Sequence, residues 1–323
     1  MSTVPSVSVG KAGKLNRRAA YASIAVALLL LGLKGWAVWS TGSTAMLGSL
    51  ADTALDLVAS IATLAGVWIA ARPADADHRF GHGKAEALTA MFQVVLISLS
   101  AFGLAARAVQ QWLDGVRTSE AQDGIAVSGF AILATLVLLA YQRRVIAQTG
   151  SLAISTDRLH YQSDLALNLA VIAALVLDQY ARLAGADPLF ALAIAVWLAW
   201  GAWRASQAAI EQLMDREWPD EKRTRFVELA ARHPELTNLH DLRTRTSGMH
   251  DFVQFHIYLP AGMTVEAAHD IVARIEDDMA QHFPNMELLI HIDPEGHIDA
   301  PGNALVEANE FDKLPEHEKE DSA

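Results

Sequence analysis

The sequence predicts an α-helical membrane protein, six transmembrane helices followed by a small soluble α+β domain, and three observations lead there. The 323 residues are 52% hydrophobic, and most of that hydrophobicity is gathered into six long apolar runs before residue 215. Beyond Asp215 the pattern changes to short amphipathic segments in the order α-β-β-α-β. The basic residues between the runs fall mainly on alternate loops, as a multi-pass chain requires.

In chain order, residues 1–18 form a basic segment with Lys11, Lys14, Arg17 and Arg18. The first run is Ala19 to Trp39, where Lys34 lies near the far end and is expected to snorkel outward. Ala45 to Ala71 follows after an uncharged turn, and then a basic loop from Arg72 to Lys84. Further runs cover Ala85 to Trp112, Ile125 to Gln142, about Ser151 to Leu177, and Leu189 to Leu213, which completes a transmembrane block at 19–214. Arg72, Arg79, Lys84, Arg143, Arg144 and Arg158 share the N-terminal side, whereas the other loops hold only Arg117 and Arg182. Both termini are therefore expected in the cytoplasm. In the soluble domain, 215–298, helices are expected over Asp220 to Ala231 and Thr264 to His282, the latter capped by Thr264. Strands are expected at Asn238 to Arg245, Phe252 to Leu259 and Glu287 to His291, and residues 299–323 read as an acidic disordered tail.

Composition excludes several chemistries. With no cysteine, any metal must be held by His, Asp and Glu. A net charge of -12 argues against nucleic acid as a partner. No His-Glu-x-x-His helix or Gly-x-Ser-x-Gly elbow marks an enzyme.

The chemistry centres on Asp52 and Asp56, one turn apart inside the second run. A carboxylate in a spanning helix costs roughly 2.5–3.5 kcal/mol on insertion scales, so a stripe of two demands a partner. His160 and Asp164 repeat the same spacing in the fifth run. Three carboxylates and one imidazole on two helices suit a tetrahedral divalent cation. Asp75, His78 and His82 form a second set in the basic loop. In the soluble domain His240, His256 and His291 fall on or beside expected strands, Asp293 shares a face with His291, and His269 lies on the intervening helix.

These strings resemble the cation diffusion facilitators, most closely their bacterial ferrous-iron and zinc efflux members. The resemblance runs from about Arg17 to Pro294 and rests on Leu50-Ala51-Asp52 through Asp56, on Phe80-Gly81-His82-Gly83-Lys84, on Leu159-His160-Tyr161-Gln162-Ser163-Asp164, and on His240-Asp241-Leu242-Arg243-Thr244-Arg245. It implies a ferredoxin-like, metallochaperone-like soluble domain and a homodimer exporting divalent cations against protons. It further implies that Asp52, Asp56, His160 and Asp164 are the transport site and that the loop set is a peripheral zinc site. Lys84 and Asp215 would form an ion pair beneath the membrane. His240, His256, His269, His291 and Asp293 would hold a regulatory two-metal cluster near the dimer interface.

The expected function is thus a proton-coupled metal antiporter of the inner membrane, a transporter and not an enzyme. Its partners are a second copy of the chain, the bilayer, protons and divalent ions. Zinc leads as cargo and as regulatory ion; iron(II), cadmium and cobalt stay open because first-row affinities overlap. The rival reading is a membrane-anchored metal sensor without transport, which the soluble histidines fit but the intramembrane carboxylates do not.

Overall fold

The computed structural model describes residues 8–41, 44–114, 125–181, 186–296 and 309–314. The chain divides into two compact units, Met1–Leu213 and Met214–Ala323. The first is built from six long helices: α1 (Val9–Thr41), α2 (Thr44–Ala70), α3 (Ala85–Asp114), α4 (Ile125–Thr149), α5 (Leu152–Ala181) and α6 (Ala186–Leu213). Their single proline, Pro188, lies in the first turn of α6, where a missing N–H costs no helical bond. α1 starts at Val9, ten residues before the apolar run, so Lys11, Lys14, Arg17 and Arg18 form helical turns of good helix formers.

Five of the six helices carry, among the described residues, a stretch long and apolar enough to cross a membrane. α5 has the length, but Asp157, Arg158 and Asp164 in its first half make it more polar. It is also the helix most surrounded by others, touching α2, α3, α4 and α6. The polarity of this unit is inverted. Leu28, Leu99, Phe102, Leu133, Val137 and Trp200 are exposed, whereas Ser23, Ser60, Thr63, Gln93, Gln142 and Asp157 are buried. An apolar exterior around a polar interior suits lipid as solvent.

Small residues let the helices close in. Ala19, Ala20, Ala87, Ala90 and Ala209 are fully buried, and a Cβ added at Gly66 on α2 would run into Thr89 on α3. Gly150, at φ +64°, makes the sharp turn from α4 into α5. Lys34 does not snorkel as expected: it donates to Thr53 Oγ1 at 2.6 Å and to the Ser49 carbonyl at 3.3 Å, both on α2. Two acceptors within reach of a charged donor outweigh an exposed position.

The second unit has α7 (Asp220–Ala230), β1 (Leu239–Ser247), β2 (His250–Leu259), α8 (Val265–His282) and β3 (Met286–Pro294), the α-β-β-α-β order expected. Thr264 caps α8 by accepting from the Ala267 N–H at 3.2 Å. The sheet runs β1-β2-β3, with β1 antiparallel and β3 parallel to β2. Val253, Phe255, Ile257 and Leu259 alternate along β2 and pack with Phe226 of α7 and Ile275 and Met279 of α8. Both helices therefore cover one face of the sheet, and the even-numbered residues of β2 stand on the other.

Part of the segment expected to be a disordered tail is folded. Glu310–Lys313 forms a 3-10 turn whose Phe311 and Leu314 join this core. Glu310 is buried beside Arg223, at 2.7 Å, and Asn309 accepts from the Leu239 N–H at 3.3 Å. Acidic composition read as solvation; a half-buried guanidinium and two apolar side chains reverse it. The rest of the segment lies outside the described residues.

Candidate functional site

The central cluster is assembled by α2 and α5. Asp56 and His160 are both buried, and His160 Nε2 lies 2.7 Å from Asp56 Oδ1. Asp164, one turn along α5 and half-buried, completes a trio whose ligand atoms lie within 4.8 Å of one another. Asp52 is not in this trio; one turn before Asp56, it is exposed on α2. Two carboxylates and an imidazole gathered this closely are a donor set suited to a divalent cation. A metal ion would need the Nε2 lone pair, so the Asp56 contact and a bound ion compete for the same ring nitrogen.

The loop set is also brought together. Asp75 Oδ1 lies 3.1 Å from His78 Nδ1, and Asp75 Oδ2 lies 3.3 Å from His82 Nε2, with all three ligand atoms within 4.8 Å. The His78 backbone N–H, donating to Asp75 at 2.7 Å, holds that carboxyl below the usual carboxylate range. Asp75 and His78 are exposed, so water competes for any ion held here. Lys84, at the end of this loop, donates to the Leu213 carbonyl at 3.2 Å, and in the other unit Asp215 pairs with Arg245 at 3.3 Å.

In the soluble unit, strand register does the assembling. His240 on β1, His256 on β2 and His291 on β3 are direct cross-strand partners, which sets three imidazoles in a row on the face away from the helices. Asp293, two residues beyond His291, reaches back into that row. It lies 2.9 Å from His256 Nδ1, 3.6 Å from His240 Nε2 and 3.5 Å from His291 Nε2. His240, His256 and Asp293 form a compact trio. His291 is exposed at its edge, with its ring 4.5 Å from that of His256. A bulge between His240 and Arg243 places Asp241 at φ 49°, held by a two-pronged contact from Arg243 at 3.0 and 2.8 Å. Asp241 then lies 3.6 Å from His256 Nε2, a neighbour the sequence reading did not assign. His269 is exposed on α8, which covers the opposite face of the sheet, and does not join the row within this chain.

Sequence reasoning also missed two buried carboxylates. Asp157, one turn before His160, accepts hydrogen bonds from Ser23, Thr63, Gln93 and Gln142. Glu86 accepts from Ser151 Oγ at 2.6 Å, from the Leu152 N–H at 3.0 Å and from Asn16 at 3.2 Å, which caps the start of α5. The signal was available: each is an ionisable residue at the edge of or inside an apolar run, for which a partner should be sought.

Comparison with known proteins gives a concordant picture. Residues 20–214 match the model of the cation efflux transmembrane domain, and residues 218–295 match that of the cation efflux protein cytoplasmic domain. The cation-efflux pump FieF of Cronobacter sakazakii is 41% identical over 282 residues, 87% of this chain and 94% of its own. FieF of Escherichia coli is 38% identical over the same coverage. A solved structure of CzrB, described there as a candidate zinc transporter, is 34% identical over 24% of this chain and 99% of its own, at a TM-score of 0.23.

Proposed function

This chain belongs to the cation efflux family, and from that premise we propose that it exports zinc from the cytoplasm in exchange for protons. The observation that carries the proposal is the trio of buried Asp56 and His160 with half-buried Asp164 inside the membrane-spanning unit, Asp56 and His160 at 2.7 Å. Asp52, one turn away on α2, supplies the fourth ligand by a change of rotamer. The membrane is the inner membrane, crossed six times with both termini cytoplasmic, and α5 is one of the six spans despite its polar half.

In this account metal and protons compete for one set of ligands. Facing the cytoplasm, the site binds zinc and releases the proton shared between Asp56 and His160; facing outward, protonation of the same groups expels the ion. The inward proton gradient then drives metal outward. An imidazole among carboxylates favours zinc and cadmium and accepts iron(II), whereas an all-oxygen set would favour manganese. In a homodimer, the second copy brings its own α8, and its His269, to the open histidine face. Metal bound at His240, His256, His291 and Asp293 then biases the transport cycle through its preference for one state. The exposed loop set buffers zinc near the entrance.

The test is zinc uptake by proteoliposomes carrying a trapped zinc indicator, with a pH gradient imposed in either direction. Uptake should follow the gradient and reverse with it. Tight zinc binding with no flux under either gradient would instead favour the membrane-anchored sensor.

A further inference from the structure

We propose that Asp157 is a positioning residue for the transport site, a buried carboxylate that holds α5 in register against α2 by gathering hydrogen bonds from four other helices. The proposal rests on the transport-site reading above and extends it to a residue that is not itself a ligand.

Asp157 is fully buried. Its Oδ2 accepts from Ser23 Oγ of α1 at 2.7 Å and from Gln142 Nε2 of α4 at 2.8 Å. Its Oδ1 accepts from Thr63 Oγ1 of α2 at 3.2 Å and from Gln93 Nε2 of α3 at 3.4 Å. One side chain thus ties α5 to α1, α2, α3 and α4. A carboxylate can do so because both oxygens accept twice, whereas neutral side chains of this size offer fewer acceptors. Both glutamines turn their NH2 groups inward and leave their own carbonyl oxygens without a partner. Their orientation is therefore dictated by the acceptor at the centre.

The place of this node along the helices gives it a role. Asp56, Ser60 and Thr63 lie at i, i+4 and i+7 on α2, one face; Asp157, His160 and Tyr161 lie at i, i+3 and i+4 on α5, also one face. They meet as three rungs: Asp56 with His160 at 2.7 Å, Ser60 with Tyr161 at 2.9 Å, and Thr63 with Asp157. The outer rungs run in opposite directions, Asp56 to Thr63 on α2 against His160 to Asp157 on α5, so the two helices form an antiparallel polar ladder with the metal ligands at one end and Asp157 at the other. The Tyr161 hydroxyl also donates to the Ser23 carbonyl at 3.0 Å, which fastens the middle rung to α1. If the lower rung is lost, α5 can slide or rotate, and His160 leaves the position opposite Asp56.

The experiment compares Asp157→Asn, Asp157→Ala and Thr63→Val by zinc flux in proteoliposomes, measured against zinc concentration and pH. Asn keeps the shape; its NH2 replaces one carboxylate oxygen, and the glutamine facing that position can flip its free carbonyl oxygen to accept from it while the neighbouring hydroxyl turns to accept as well. Asp157→Asn should therefore stay within about threefold of the native half-saturating zinc concentration and keep the native pH profile. Asp157→Ala should raise that concentration about 10- to 100-fold, the usual scale for loss of a group that orients metal ligands. Thr63→Val, which removes one bond of the node, should fall between. If Asp157→Asn is as defective as Asp157→Ala, or shifts the pH profile, the carboxylate itself exchanges a proton or a cation and the positioning role is wrong. Native half-saturation in Asp157→Ala also overturns it. Should the native chain carry no zinc flux, the function proposed above fails. The positioning role is then read from calorimetric zinc binding to the same variants in a His82→Ala, His256→Ala background, where only the intramembrane trio is left intact.

Discussion

Replacing Asp56 with alanine is expected to raise the zinc concentration that half-saturates transport by two to three orders of magnitude while leaving a folded protein. Asp56 is one of three groups whose ligand atoms lie within 4.8 Å of one another, with Asp52 as the proposed fourth. Four-ligand zinc sites bind with about 10–16 kcal/mol, which is about 2.5–4 kcal/mol per ligand if shared evenly. At about 1.4 kcal/mol per factor of ten, that corresponds to a loss of about 70- to 700-fold. The folding cost is smaller. Removing the carboxylate takes the acceptor from His160 Nε2 at 2.7 Å, and an imidazole can bear this neutral at about 1–3 kcal/mol. His160→Ala is the harsher change, because it strands a buried carboxylate, at about 3–5 kcal/mol for a broken buried pair. The assay is initial zinc flux in proteoliposomes across a thousandfold range of zinc, with size-exclusion behaviour as the control for folding. A half-saturating concentration within threefold of native would refute the assignment of Asp56 as a ligand.

Other variants probe the remaining claims. His160→Asp should move preference toward manganese, and unchanged zinc selectivity in a competition flux assay would count against the ligand-type argument. Zinc held by the loop set should be lost on acidification: Asp75 stays ionised because the His78 N–H lowers its proton affinity, so the ion is released when protons take the lone pairs of the two imidazole ligands. Calorimetry at pH 5.5 and 7.5 checks this, and equal affinity at both would refute it. His256→Ala, which removes the centre of the three-strand row, should cost at least one bound zinc per chain while native flux at saturating zinc persists; abolished flux would make the cluster part of the path. Glu310→Gln should weaken the contact with Arg223 by about 1.5–3 kcal/mol and speed amide exchange at Leu239–Leu242, with unchanged exchange as the contrary result.

Much of this architecture was legible because its signals are local. Apolar runs marked the long helices, i, i+4 spacing marked the two helices that build the buried trio, and period-two alternation marked β2 and its open face. What escaped depends on contacts distant in sequence. Asp157 is made tolerable by Ser23, Thr63, Gln93 and Gln142, each on a different helix, and no window around residue 157 contains them. Lys34 looked free to snorkel until α2 brought it Thr53 and Ser49. The turn at Glu310 is folded by Arg223, far back in the chain, against the composition of its own neighbourhood. Asp52 shows the opposite limit: spacing placed it with Asp56 on one helix, but only side-chain geometry distinguishes a member of the trio from a carboxylate one turn away.

The central claim is that zinc and protons exchange at one intramembrane site, and the most direct test follows both ions at once. Proteoliposomes containing the native chain would hold a zinc indicator and a pH indicator together, with zinc added outside. The account requires zinc entry to be matched by proton exit with a fixed ratio, and both signals to fall away together in Asp56→Ala at the zinc concentration that half-saturates the native chain. Zinc entry with no change of internal pH, or a proton signal that survives in the variant, would contradict it.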